Sequence, residues 1–148
     1  MSDSGVPPDE QPPTDRRPTG RWWLVVPVVG IYVIDVALTL SGQPPEYWAG
    51  DFAAVNEINP VGHALLRLGP WSFLGTAAAW LVALVLMTLY WRPRLAEVMV
   101  KVLTVGHAVG GACWVARHGG WWFAAGVGFL VAAAVFTLWC WRQKDGKP

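Results

Sequence analysis

Asp35 stands inside an otherwise apolar run from Trp22 to Leu40. A carboxylate in the hydrocarbon of a bilayer costs roughly 2.5–3.5 kcal/mol on insertion scales, so such a residue is expected to have company. Tyr32, three positions before it, and Thr39, four after it, fall on the same side of a helix and can hydrogen-bond with it. Counted inward from Ser41 at about 1.5 Å per residue, Asp35 lies about 9 Å below that end of the run. His107 is the second unexpected group. It belongs to a stripe, Glu97, Lys101, Thr104, His107 and Gly111, whose spacings of four, three, three and four keep one helix side polar or small. That side is expected to face protein, with Glu97 and Lys101 pairing or snorkelling to the interface. Gly106 and Gly110 form a small-xxx-small pattern that permits close helix approach.

Asp35, Glu57, His63 and His107 together offer two carboxylates and two imidazoles, a chemically sensible set for zinc or another divalent ion. Their spacings match no metal signature such as His-Glu-x-x-His. Two readings stand side by side. In one, these groups form a proton relay, an ion path or the acid, base and ligands of a small metal-assisted hydrolase. In the other, a hydrogen-bonded carboxyl fastens helix 1 to its neighbours and no cofactor is needed. The second is favoured, with Asp35, Thr39, Glu57, Asn59 and His107 as the polar cluster. The sequence carries no nucleotide loop, nucleophile elbow or haem-attachment pattern.

The elements that must position these residues are written in the hydropathy. Of 148 residues, 54% are hydrophobic and 14% charged. The apolar residues fall into blocks at 22–40, 71–91, 95–116 and 121–141, each long enough to cross a hydrocarbon core of about 30 Å. The expected fold is therefore all-α, a polytopic four-transmembrane-helix bundle occupying residues 21–142. Residues 1–20, with Pro7, Pro8, Pro12, Pro13 and Pro18, read as a disordered cytoplasmic tail, and 143–148 as a short cytoplasmic tail. Arg16, Arg17 and Arg21 before the first block mimic a signal peptide, but the long run with Asp35 inside it and no small-x-small cleavage pattern predicts an uncleaved helix. Cys113 and Cys140 are expected at different depths, as packing residues and not a disulfide.

Orientation follows from the 11 Lys and Arg. Arg16, Arg17, Arg21, Arg92, Arg94, Lys101, Arg142, Lys144 and Lys147 fall on one side, and only Arg67 and Arg117 on the other. Cytoplasmic flanks retain positive charge, so both termini are expected inside, in the inner membrane of the cell. The tryptophans agree: Trp22, Trp23, Trp91, Trp139 and Trp141 mark the inner boundary, and Trp48, Trp71, Trp114, Trp121 and Trp122 the outer, with Trp80 deep. A formal net charge of +1 argues against a nucleic-acid partner.

The long connection from Ser41 to Pro70 is broken by Pro44, Pro45 and Gly50. Asn59 followed by Pro60 is an N-cap and first-turn signal, predicting a short extra helix from Pro60 to Leu68 that ends at Gly69-Pro70. Asp35-Val36-Ala37-Leu38-Thr39 followed by Glu57-Ile58-Asn59-Pro60 resembles the pattern of a family of small bacterial and archaeal multi-pass membrane proteins of unknown function. The resemblance covers about residues 22–117 and falls on Asp35, Thr39, Glu57, Asn59 and Pro60. It implies a fold and no activity. It also suggests that Glu57 folds back toward Asp35 while Asn59 caps the next helix, so that two close carboxylates share a proton or hold a cation.

The expected function is that of a non-enzymatic structural or accessory subunit, partnered by the bilayer and by a second copy or another membrane protein. The alternatives are the metal-assisted enzyme and an oligomeric transporter or ion-conducting protein.

Overall fold

The computed structural model describes residues 21–117 and 120–144. Its elements are α1 (Trp22–Ser41), α2 (Pro45–Trp48), α3 (Pro60–Arg67), α4 (Pro70–Tyr90), α5 (Pro93–Ala116) and α6 (Trp121–Lys144), with a 3-10 turn at Phe52–Ala54 between α2 and α3. No strand occurs among the described residues. Four of the helices, α1, α4, α5 and α6, are long and apolar enough to cross a membrane. The fold is an all-α polytopic bundle, and the helix limits lie within a few residues of those expected. One difference is at the end: α6 continues to Lys144, two residues into the segment expected as tail. The first expected tail, the rest of the second, and His118 lie outside the described residues.

Prolines set the helix starts. Pro45, Pro60, Pro70 and Pro93 each occupy the first turn, where the missing N–H has no intrahelical partner to lose. Asn59 caps α3, its side-chain oxygen accepting from Val61 N at 3.0 Å and Gly62 N at 3.4 Å. α3 and α4 meet at Gly69, whose φ of 103° lies in the region that a side chain disfavours.

Contacts at the two ends show an antiparallel, up-and-down course. At one end, Arg21 donates from its guanidinium to Leu89 O at 2.7 Å and Trp91 O at 3.0 Å, closing the unsatisfied last turn of α4. Trp23 and Trp139 meet there nearly perpendicular, with centroids 6.0 Å apart, and Lys101, paired with Glu97 at 3.0 Å, lies over the Trp141 ring. At the other end, Arg117 donates to Asn56 Oδ1 at 2.7 Å and stacks on Trp114.

α1 is the central helix, packed against α4, α5 and α6, while α4 makes no contact with α6 among the described residues. One core cluster joins Leu24, Val28, Leu84 and Val100. A second joins Ile31, Ala108 and Ala133. α5 and α6 approach closely at Gly126, where a Cβ would lie 2.9 Å from Ala112 O and 3.0 Å from Ala116 Cβ.

The connection between α1 and α4 is a folded cap with its own core of Tyr47, Leu66 and Phe73. Gln43 ties it to α1: its amide nitrogen donates to Thr39 O at 2.8 Å while its oxygen accepts from Asn56 N at 2.8 Å. Ile58, Val61 and Leu68 remain largely exposed on the cap, as does Trp71 at the adjoining start of α4. That makes it an apolar-faced surface suited to the boundary of a bilayer.

Candidate functional site

Asp35 comes from the last third of α1 and His107 from near the middle of α5. Nδ1 of His107 lies 2.8 Å from Oδ2 of Asp35. A carboxylate can only accept, so Nδ1 carries the hydrogen and donates it. Both side chains are mostly enclosed, with 23% of His107 and 16% of Asp35 still accessible. Tyr32 stands edge-to-face with the imidazole, centroids 4.7 Å apart, and its hydroxyl donates to Ala77 O in α4 at 2.9 Å. Three spanning helices are thus joined by one polar cluster.

Two partners suggested by helix spacing take other roles. Tyr32 gives its hydrogen to α4 and not to Asp35. Thr39 is buried on the Asp35 side without a hydrogen bond to it. The side chain that bonds Asp35 among the described residues is His107, a residue 72 positions away.

The pair lies in the wall of a cavity of about 650 Å³ between α1, α4 and α5, roofed by the cap. Asp35, Thr39, Glu57, Asn59 and His107 all line it. The apolar part of the wall includes Val36, Leu65, Phe73, Trp80, Leu103 and Trp114. Glu57 does not reach Asp35 with a hydrogen bond. Its Oε1 accepts from Asn59 N at 2.7 Å, so its carboxylate is held on its own loop while facing the same space.

His63 is not brought into this wall. Its Nδ1 lies 3.2 Å from Glu57 O and donates to it. Among the described residues, no group of three or more His, Cys, Asp and Glu is arranged to hold a metal ion. Cys113 and Cys140 are both free.

Two glycines shape the site in a way that spacing did not disclose. A Cβ on Gly110 would lie 2.9 Å from Asp35 Oδ1 and 3.2 Å from Oδ2, so its bare backbone is the notch that receives the carboxylate. A Cβ on Gly42 would overlap the Trp114 indole, which closes the cavity beneath the cap. Gly106 differs: nothing lies within 4 Å of an added Cβ, and its backbone forms open wall. The small-xxx-small pattern at Gly106 and Gly110 therefore makes a rim and a notch. No signal short of the paired helix would have told these uses apart.

The fold and this cluster define a four-span helical membrane protein with an acid–imidazole pair at the side of a cavity between α1, α4 and α5. No protein-family profile, curated protein or solved structure matches the chain.

Proposed function

We propose that the chain is a non-enzymatic, multi-pass protein of the cell inner membrane that serves as a structural or accessory subunit, with both termini cytoplasmic. The observation that carries this reading is the 2.8 Å Asp35–His107 hydrogen bond. Two ionisable groups inside the bundle satisfy each other across α1 and α5, which lowers the cost of placing either in lipid. The Tyr32 bond to Ala77 extends the lock to α4. The excess of Lys and Arg at the end holding Arg21, Arg92 and Arg94 supports the orientation. The Asp-Thr and Glu-x-Asn-Pro patterns support kinship with the small membrane-protein family described above. A second copy or another membrane protein is the partner that such a subunit would take.

The test is thermal unfolding in detergent of Asp35→Asn, His107→Gln and the double variant. A lock predicts losses of about 1–2 kcal/mol for each single change and a double variant no worse than the poorer single one. Wild-type melting of both singles would refute it. A reporter fused after Pro148 checks the orientation.

A further inference from the structure

We propose that the cavity between α1, α4 and α5 is a binding site for a lipophilic amine: a molecule with an apolar body and one protonated nitrogen, entering sideways from the bilayer. This goes beyond the structural role of the Asp35–His107 pair and does not depend on it.

The charge of the wall selects the ligand. Among the described residues, Asp35, Glu57 and His107 are the ionisable side chains other than Tyr32 that line the cavity, and neither Lys nor Arg does so. Phosphate and carboxylate headgroups would meet two carboxylates and, among the lining residues, no Lys or Arg side chain. A protonated amine meets the opposite. In its neutral form His107, with Nδ1–H given to Asp35, presents Nε2 as an acceptor in a ring that lines the cavity, and Nε2 makes no hydrogen bond among the described residues. Glu57 has one carboxylate oxygen occupied by Asn59 N and the other without a hydrogen bond among the described residues. An N–H bearing a positive charge suits both acceptors.

The remainder of the wall suits the rest of such a molecule. Trp80, Phe73 and Tyr32 supply aromatic surfaces that attract a cation over their faces and pack an apolar body, while Trp114, whose ring already carries Arg117, adds apolar wall. A mostly apolar cleft of this volume with a few convergent polar groups is the usual form of a small-molecule site.

Entry is lateral. Thr76 and Trp80 of α4 and Val102 and Gly106 of α5 border the cavity while remaining exposed on the outside of the bundle. Trp80 keeps 43% and Val102 64% of its surface accessible, and Gly106 places no side chain between them. In a bilayer this window faces lipid, so a membrane-dissolved ligand needs no path through water.

The experiment places the full chain in phosphatidylcholine nanodiscs and follows energy transfer from tryptophan to pyrene. The probes are pyrenylmethylammonium, pyrenylmethanol and pyrenecarboxylate, with empty nanodiscs as the baseline for partition into lipid. Saturable binding of one pyrenylmethylammonium per chain is expected, about tenfold tighter than the alcohol, with the carboxylate weaker still. Gly106→Leu, which fills the open wall, should weaken binding about tenfold at unchanged melting temperature. Val102→Trp on the rim should do the same if the leucine variant folds poorly. Glu57→Gln should weaken the ammonium probe and leave the alcohol unaffected. Binding of the carboxylate as tight as the ammonium overturns the proposal, as does the absence of a saturable component or full binding by a folded Gly106→Leu or Val102→Trp protein. None of these outcomes bears on the melting test of the lock.

Discussion

The carboxylate of Asp35 occupies the space that a side chain at position 110 would fill. A Cβ there would lie 2.9 Å from Oδ1, closer than carbon and oxygen tolerate without displacement. Asp35 therefore has two requirements on α5: His107 as donor, and three residues later a position with no side chain.

Gly110→Ala is accordingly expected to destabilise the bundle even though alanine is the better helix former. The methyl group must push the carboxylate from its notch or separate α1 from α5, and overpacking of this kind costs about 1–3 kcal/mol. Gly106→Ala is the matched control, because nothing stands within 4 Å of its added Cβ. Alanine there should leave melting unchanged or raise it, by about 0.5–1 kcal/mol of helix propensity. Thermal unfolding of the two variants in the same detergent checks the contrast. Equal effects would mean that position 110 is no notch.

Much of the fold was legible because a membrane-spanning helix must be apolar along its whole length, whatever its neighbours are. The limits of α1, α4 and α5 follow from that requirement, and the start of α3 follows from Asn59-Pro60, whose cap is local chemistry. The site was legible by type but not by pairing. An intramembrane carboxylate announces a need for a partner, yet helix periodicity offers only residues on the same helix, Tyr32 and Thr39. The partner, His107, is set by how α1 and α5 are rotated about their axes. The same holds for Gly42 and Gln43: their uses depend on Trp114 and Asn56, which the chain brings to them only after it has folded.

Thr104 provides a test in the opposite direction. It is buried on α5 with its hydroxyl oxygen lacking a hydrogen-bond partner among the described residues. Thr88 and Thr137, also buried, bond to the carbonyls four residues before them at 2.7 Å. An unsatisfied buried hydroxyl costs about 1–3 kcal/mol, and an apolar group of the same shape avoids that cost. Thr104→Val should therefore melt at or above the wild-type temperature, whereas Thr88→Val and Thr137→Val gain no such benefit. A clear loss of stability in Thr104→Val would show that its hydroxyl has a partner in the membrane, such as a second chain or a bound molecule.

Gly42 is expected to be as intolerant as Gly110, for a purely steric reason. Its φ of −82° is open to any residue, but a Cβ would overlap the Trp114 ring. Gly42→Ala must displace the indole, which also carries Arg117 on its face at 4.4 Å. Loss of about 1–3 kcal/mol is expected, with a change in tryptophan emission. Gly42→Ala combined with Trp114→Leu should recover part of the loss. No recovery in the double variant would place the strain elsewhere.

Tyr47 makes the cap sensitive to alkali. It has no exposed surface, and its hydroxyl donates to Leu66 O at 3.1 Å. Burial holds the phenol above its ordinary value of 10.0, because a tyrosinate there would lose its water and could no longer donate. The folded state thus binds this proton more tightly than the unfolded one. Its contribution to stability is fully present below pH 10.0, the unfolded value, and is lost as pH rises through the higher folded value. Tyr47→Phe removes the hydrogen bond and leaves Leu66 O without it, costing about 1 kcal/mol near neutral pH. The variant also lacks the titration, so the stability gap between wild type and Tyr47→Phe should narrow above pH 10.0. Melting curves of both proteins from neutral to alkaline pH measure that gap. A constant difference throughout would mean that Tyr47 ionises no differently in the folded cap than in the open chain.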